Sequence, residues 1–220
     1  KLLFTFGGAA TAGATVRWFR NTFAEAEYGR ELQGGPNAYA CLDDTARNVP
    51  AGSEGLLVMP YFMGERAPIW DVNARGVIFG LSLNHTKTHV YRAFLEATAY
   101  SLRHTMQAVG NRSGLNRELI LAGGAARSPL WRQIFADVTG FRILCPRDNV
   151  EANLGDVVLA GMGAGLFGDG AMPEWQVFDR AVEPDAGRGE IYDRYYEQYQ
   201  ALYRSTKDNM NAMAAVAELP

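Results

Sequence analysis

The segment from Leu119 to Trp131 constrains the fold more than any other part of this sequence. It begins with an apolar run that predicts a strand and stops at Gly123 and Gly124. After three further residues, Ser128 and Pro129 have the chemistry of a helix N-cap and of a first helical position. Such a junction leaves unpaired helical N–H groups beside small residues, where a flat or phosphorylated ligand can approach the backbone. The segment therefore predicts a nucleotide site, although a well-made strand-to-helix turn has the same local sequence.

Strands and helices alternate after residue 50, and this order is typical of an α/β domain. Helices are placed by the recurrence of apolar residues at helical spacing, and Ala14, Trp18 and Phe19 fall on one stripe of the first helix. Predicted strands cover 2–6, 56–62, 76–81, 118–122 and 141–145, and predicted helices cover 11–24, 36–47, 86–110, 129–138, 153–166 and 191–215. Segments 64–75 and 168–190 are predicted loops.

Composition excludes several classes of protein. The 220 residues are 48% hydrophobic and 20% charged, which is ordinary for a globular protein of one large or two small domains. The net charge of −3 without a basic block argues against nucleic-acid binding. No apolar run approaches ~18 residues, so no membrane span is expected. Cys41 and Cys145 are predicted to be free, buried thiols of a cytoplasmic protein.

Two common motifs are weak in this sequence. Residues 163–168 match Gly-x-Gly-x-x-Gly, but the following stretch contains Gly170 and Pro173 and cannot open a helix. Helix-packing glycines before a helix end explain this match better than a dinucleotide site does. The phosphate-binding Gly-x-x-x-x-Gly-Lys-Ser/Thr motif is absent. His85 and His89 are spaced i, i+4 without the Glu of a metalloprotease motif, so they are predicted to be satisfied or solvated rather than metal ligands.

Two other clusters favour structural roles. In the loop 64–76, Glu65, Arg66, Asp71 and Arg75 surround a Trp; they could bind substrate, but ion pairs and turn hydrogen bonds that fix the loop are the favoured interpretation. The C-terminal segment carries tyrosines at helical spacing, for which core packing is favoured over an exposed stacking platform. These tyrosines are Tyr192, Tyr195, Tyr196, Tyr199 and Tyr203.

Taken in this order, the motifs resemble the C-terminal half of the FGGY family of carbohydrate kinases. Residues 60–76 are similar to the family's Gly-Glu-Arg-x-Pro-x-Trp-Asp-Pro-x-Ala-Arg-Gly loop, and 76–96 are similar to its second signature. Residues 123–137 resemble its adenosine segment, and 153–156 resemble the Ala-Leu-Gly-Ala helix that follows. The sequence departs from the pattern at Val72, where the family often has Pro, and at Asp156, where it usually has a small residue.

The resemblance implies an actin/hexokinase-like (ribonuclease H-like) ATPase domain, with a mixed sheet flanked by helices. Residues 1–220 would form the C-terminal nucleotide-binding domain of a two-domain, xylulokinase-like enzyme that uses ATP and Mg²⁺ to phosphorylate a small sugar or polyol. The N-terminal sugar-binding domain, with the catalytic Asp, would be absent from this chain. No catalytic residue and no metal ligand is therefore expected here, and the isolated chain is expected to be inactive.

The resemblance also implies contacts with the nucleotide. The backbone at Gly13, and with it Arg17, would lie near the phosphates, and Arg127 would stack on or hydrogen-bond the adenine edge. Ser128 would donate to a ring nitrogen, with capping of its own helix as a competitor for the hydroxyl. The implied cofactor-binding residues are Gly13, Arg17, Gly123, Gly124, Ala125, Arg127 and Ser128.

Other functions remain open at this stage. A non-catalytic relative could use the same actin-like fold for binding or assembly, and a Rossmann-type oxidoreductase is a weaker alternative. The partners expected for the kinase are ATP, a small sugar or polyol and its own N-terminal domain, with a homodimer plausible for the family. Nucleic acid and membranes are not expected partners.

Overall fold

The computed structural model describes residues 6–109, 117–147, 152–166, 168, 177–179 and 181–217. The helices are α1 (Gly13–Phe23), α2 (Glu25–Leu32), α3 (Ala38–Ala46), α4 (Lys87–Ala108), α5 (Pro129–Thr139), α6 (Ala152–Gly163) and α7 (Ala186–Ala217), and the strands are β1 (Leu57–Met59), β2 (Val77–Phe79), β3 (Glu118–Ile120) and β4 (Arg142–Leu144). Short 3₁₀ turns lie at Ser53–Gly55 and Gly124–Arg127. The strand predicted at 2–6 lies outside the described residues, apart from residue 6.

Helix α4 is the centre around which the other elements pack, and it contacts α1, α3, α5 and β1. Its middle third is buried on all sides, with Phe94 and Leu95 fully enclosed. A capping box fixes its start, because the Thr86 N–H donates to His89 Nδ1 over 3.1 Å. The helix predicted at 86–110 is therefore confirmed, and the apolar spacing that predicted it also accounts for its burial.

The described strands form two separate pairs. β1 and β2 are antiparallel, with Leu57 opposite Phe79, and β3 and β4 are parallel, with Glu118 opposite Arg142. α5 connects the two parallel strands, as a parallel pair requires a crossover. The α/β class is thus confirmed, in a molecule that is mostly helical across the described residues.

The junction between β3 and α5 forms as its residues predict. The Ser128 side chain accepts a hydrogen bond from the Trp131 N–H over 3.0 Å, and Pro129 occupies the first helical turn. The helix ends at Gly140, whose φ of 70° places it in the left-handed region that a glycine adopts at low cost. A short strand therefore meets a sharply defined helix start beside two glycines.

Helix α7 contributes a row of tyrosines to the core. Tyr192 and Tyr199 are fully buried, and Tyr196 and Tyr203 nearly so. α7 packs against α5 and β1. The prediction that these rings fill the core is confirmed for these four residues, while Tyr195 is only partly buried.

Three local predictions need correction. The segment 11–24 is one helix that stops at Phe23, with a second helix, α2, directly after it. The buried face of α1 is formed by Thr15, Val16 and Phe19, whereas Ala14 is exposed and Trp18 is 38% exposed. The predicted buried face of α1, which included Ala14, is therefore displaced from the observed one. The side of α1 that is buried depends on its packing against α4, and the local sequence pattern does not reveal that packing. Cys145 is buried, but Cys41 is only half-buried, and both are free.

The helix predicted at 153–166 is present as α6, and it precedes the Gly-x-Gly-x-x-Gly match at 163–168. α6 ends at Gly163, and Gly165 has a φ of 72°. These glycines therefore terminate a helix, as favoured over a dinucleotide site. Across the described ranges, no helix combines the length and the apolar content needed to cross a membrane.

Candidate functional site

A cavity of about 660 Å³ opens between α1, α3, α4 and the β3–α5 junction. Its walls are mostly apolar or aromatic, with a few polar side chains among them, which is the usual composition of a small-molecule site. The lining residues are Ala12, Gly13, Val16, Arg20, Glu31, Asn37, Tyr39, Ala40, Asp43, Tyr91, Leu121, Ala122, Gly124, Ala125, Arg127, Ser128, Trp131 and Phe135.

The amino end of α1 forms one rim of this cavity through Ala12 and Gly13. No side chain caps this helix, and its first turn carries no acidic residue. The first N–H groups of a helix lack intrahelical partners and attract negative charge, so this rim can bind an anion such as a phosphate. A Cβ built at Gly13 meets nothing within 4 Å, so the backbone there borders open space.

The glycines of the β3–α5 junction form the facing rim. Gly123 has φ 81° and ψ −159°, a conformation that side chains strongly disfavour. Gly124 lines the cavity, and a Cβ placed there has no neighbour within 4 Å. A glycine at 124 therefore keeps the entrance open, while the glycine at 123 permits the turn itself. Gly123 is not among the lining residues.

Ser128 lies where the cavity meets the start of α5. Its oxygen accepts the capping hydrogen bond from Trp131, so capping uses a lone pair and not the hydroxyl proton. The capping bond expected at Ser128 is therefore present, and it leaves the hydroxyl proton outside the cap. The Ser128 hydroxyl also lies beside Asp43, whose pKa is raised by burial and drawn back in part by Ser128.

Asp43 and Tyr91 form a buried, polar part of the cavity wall, and neither was singled out from the sequence. Asp43 is 6% exposed, Tyr91 is 1% exposed, and the Tyr91 hydroxyl donates to Asp43 Oδ1 over 2.8 Å. Burial raises the pKa of Asp43, and the hydrogen bonds from Ser128 and Tyr91 act in the opposite direction. The available signal was an acidic residue on the buried face of α3, next to Leu42 in the sequence.

The three arginines near the site have different positions. Arg127 lines the cavity and is exposed, so it can reach a ligand at the entrance. Arg17 is exposed on α1 and does not line the cavity. Arg20, one turn further along α1, does line it, and its guanidinium lies over the rings of Tyr28 and Tyr39 at 3.9 and 4.9 Å. Arg20 was missed because helix rotation, not residue type, decides which arginine faces inward.

The charged loop 64–76 contributes no residue to the lining of this cavity. Glu65 is 3% exposed and accepts hydrogen bonds from the N–H groups of Ala10 and Arg66 over 2.6 and 2.8 Å. Burial raises the pKa of Glu65, while those two N–H groups lower it. The Arg66 guanidinium donates to the carbonyl of Ala9. Within the described part of the chain, hydrogen bonds rather than ion pairs fix this loop.

The departures from the family pattern lie at the surface. Val72 is 80% exposed at the tip of the charged loop. Asp156 is exposed on α6 and is not among the residues that line the cavity. Neither side chain therefore touches the candidate site.

His85 and His89 have structural partners. His89 belongs to the capping box of α4, and His85 Nδ1 accepts a hydrogen bond from the Ser82 N–H over 2.9 Å. In the ranges that the structure describes, no group of three or more His, Cys, Asp or Glu side chains could hold a metal ion.

The cavity can hold a planar group and an anionic group at the same time. Its apolar walls, including Val16, Trp131 and Phe135, suit a flat ring, and the amino end of α1 suits phosphate oxygens. Gly13, Gly124, Ala125, Arg127 and Ser128 are brought together around this space although they come from two distant segments of the sequence.

Comparison with known proteins gives a consistent result. A model of the FGGY family of carbohydrate kinases, C-terminal domain, matches residues 1–164. The chain is 35% identical over 165 residues to a gluconokinase of Bacillus subtilis (strain 168), covering 74% of this chain and 31% of the relative. It is 36% identical over 183 residues to a glycerol kinase of Geobacter sp. (strain M21), covering 83% of this chain and 35% of the relative.

A solved structure, that of a xylulose kinase from Rhodospirillum rubrum, superposes with a TM-score of 0.73 at 29% identity, over 92% of this chain and 40% of that chain. The chain thus spans well under half of the length of each of these three relatives.

Proposed function

The chain belongs to the FGGY family of carbohydrate kinases, and from this membership we propose that it forms the ATP-binding lobe of an enzyme that transfers the γ-phosphate of ATP to a sugar hydroxyl. The observation that carries the proposal is the cavity in which the amino end of α1 faces the Gly124–Ser128 segment. One rim suits phosphate and the apolar interior suits a base, so the two ends of a nucleotide find matching chemistry.

In this proposal, the residues of the chain bind and orient ATP. The purine would lie between the apolar walls, with Gly124 and Ala125 allowing close approach of the backbone and Arg127 covering its outer edge. The phosphates would point toward Gly13, where unpaired N–H groups offset part of their charge. Gly123 supports the turn, and Arg17 lies far enough out on α1 to contact phosphates only beyond the cavity.

The chemistry itself requires groups beyond this chain. In phosphoryl transfer, an acceptor oxygen forms a bond to the γ-phosphorus while the bond from that phosphorus to the β,γ-bridging oxygen breaks. We assign the base that takes the hydroxyl proton to a separate N-terminal domain, together with the sugar site. Mg²⁺ would neutralise charge on the phosphate oxygens when bound.

The acceptor is proposed to be a small sugar or polyol, with a xylulose-like ketose as the first candidate. The named relatives are a gluconokinase, a glycerol kinase and a xylulose kinase, so family membership supports the acceptor class more strongly than any one acceptor. The test is ATP-dependent phosphorylation by the complete gene product over a panel of pentuloses, aldonates and polyols. Turnover of at least one member is expected, and none with any member would contradict the enzyme assignment.

The nucleotide site has its own test. Replacing Gly124 with Trp fills the open entrance, so ATP affinity measured by calorimetry should fall at least ~100-fold, or about 2.7 kcal/mol. The matched control is Gly155→Trp on α6, which also has open space around its Cβ but does not line the cavity. A protein that binds no nucleotide but binds a protein partner tightly would support the alternative, a non-catalytic assembly protein with an actin-like fold.

A further inference from the structure

The hydrogen-bond partners of Asp43, namely Tyr91 and Ser128, do not explain why an acidic residue occupies this position. Its side chain is almost completely buried, and burying a carboxylate is costly unless it is paired. Tyr91 and Ser128 offer it only hydroxyl donors, and among the described residues it takes part in no ion pair. An amide oxygen would accept from Tyr91 at lower cost, so the tie between α3 and α4 does not by itself require an acid.

The carboxyl has acceptor capacity left over beside the cavity. A carboxylate offers about four lone-pair positions, and two hydroxyl donors use at most two of them. Asp43 lines the cavity together with the apolar side chains of Val16, Trp131 and Phe135. An acceptor set among apolar walls recognises a flat ring that carries an N–H group on its edge.

Adenine matches this arrangement better than guanine does. The hydroxyl groups of Tyr91 and Ser128 already donate to Asp43, so neither is available to donate to the O6 oxygen of guanine. An acceptor at that position pairs with the amino group of adenine, whereas the O6 oxygen of guanine is itself an acceptor.

We propose that Asp43 is a specificity-determining residue that accepts a hydrogen bond from the exocyclic amino group of adenine. The inference rests on the proposed function, because it requires a nucleotide base in this cavity. It adds the residue that distinguishes adenine from purines without an amino group at that position.

The test compares two ligands that differ only in that amino group: ATP and the triphosphate of purine riboside. Calorimetry on the complete gene product should show that the unmodified protein binds ATP ~10-fold more tightly, since one hydrogen bond to such an acceptor contributes about 1.5 kcal/mol. Asp43→Ala should abolish this preference. Asp43→Ser should also abolish the preference for ATP. The serine side chain keeps a polar group at this position, but it is too short to reach the base.

A purely structural role for Asp43 predicts a different outcome. Loss of packing would weaken both ligands by the same factor and leave their affinity ratio unchanged, so a folded Asp43 variant with the original ratio overturns the proposal. A preference of the unmodified protein for GTP over ATP overturns it too. The control is Asp44→Ala, the exposed neighbouring acid, which should leave the ratio unchanged.

The same measurements distinguish a failure of the proposed role of Asp43 from a failure of the proposed nucleotide site. If the unmodified protein binds neither nucleotide, or if Gly124→Trp leaves ATP binding intact, the nucleotide site itself is wrong. If ATP binding is lost in Gly124→Trp but the ratio survives in the Asp43 variants, only the role of Asp43 is wrong.

Discussion

Two buried Tyr–Asp pairs in this molecule have the same local geometry and different surroundings. Tyr91 donates to Asp43, and Tyr203 donates to Asp71, each over 2.8 Å. The two carboxyls are 6% and 9% exposed. By residue type, bond length and burial, the pairs are nearly identical.

Their neighbours differ. The other carboxyl oxygen of Asp71, Oδ1, is used within its own loop, because it accepts a hydrogen bond from the Asn73 N–H over 2.9 Å. The backbone of Asp71 also exchanges two hydrogen bonds with the backbone of Glu65. Asp43 instead borders the 660 Å³ cavity between α1, α3 and α5. The comparison teaches that burial and pairing alone do not distinguish the two carboxyls; the proposal for Asp43 rests on its spare acceptor capacity beside the cavity.

The largest expected effect in a test of this comparison is the loss of stability in Asp71→Ala. The variant leaves the Tyr203 hydroxyl and the Asn73 N–H without their acceptor, so we expect a loss of about 2–3 kcal/mol in the free energy of unfolding. Urea denaturation measures it. The dissociation constant for ATP should stay unchanged in the folded protein.

The exposed Asp44→Ala serves as the control, with a change within ~0.5 kcal/mol. Should Asp71→Ala weaken ATP binding as strongly as it lowers stability, the charged loop would be part of the nucleotide site. The contrast between the two carboxyls would then be broken.

A smaller and more direct test removes only the hydroxyl from each pair. Tyr203→Phe and Tyr91→Phe should each cost about 1 kcal/mol of stability, because each deletes one hydrogen bond to a buried carboxyl. Only Tyr91→Phe should change the affinity ratio between ATP and the purine riboside triphosphate, since only Asp43 faces the cavity. The two variants control for each other, and an equal effect on that ratio would show that the distinction is unfounded.

The smallest expected effect is in the pH dependence of stability. Because burial raises the pKa of Asp43 above its ordinary value of 3.8, the folded protein keeps this proton at a pH where the unfolded chain has lost it. The stability that Asp43 contributes is complete below that value and is lost as the pH rises through the higher pKa of the folded state. Asp43→Asn should therefore lose less stability than the unmodified protein as the pH rises from about 4.

Urea denaturation at a series of pH values measures this difference. Glu65, whose pKa burial also raises, supplies a similar slope in both proteins and does not obscure the comparison. Asp44→Asn is the matched control. An unchanged slope in Asp43→Asn would show that this carboxyl titrates as it does in water.

Much of the fold follows from local sequence. Ser128, Pro129 and Gly140 predicted both ends of α5, and the structure confirms them. The long apolar spacing placed α4 within about two residues at each end, and the tyrosines of α7 are in the core. These features succeed because capping, helix period and apolar burial act over a few neighbouring residues.

The site was predicted less completely. Gly124, Ala125, Arg127 and Ser128 were identified through the family resemblance, and all four line the cavity. Asp43 and Arg20 were not, because an acid on α3 and an arginine on α1 are ordinary surface residues until neighbouring helices decide which side of each helix faces inward. The misplaced stripe of α1 has the same cause.

The sequence by itself determined which segments form most of the helices and strands, which residues are apolar enough to be buried, and which segment carries the glycines of the turn before α5. Only the tertiary structure decided that the amino end of α1 faces that turn across a cavity, and that one of two similar Tyr–Asp pairs opens onto it. The physical reason is the sequence separation of the residues involved. Capping and helix periodicity relate residues three or four positions apart, whereas a cavity is the space left when helices distant in sequence pack together. No short stretch of sequence therefore predicts the position of the cavity.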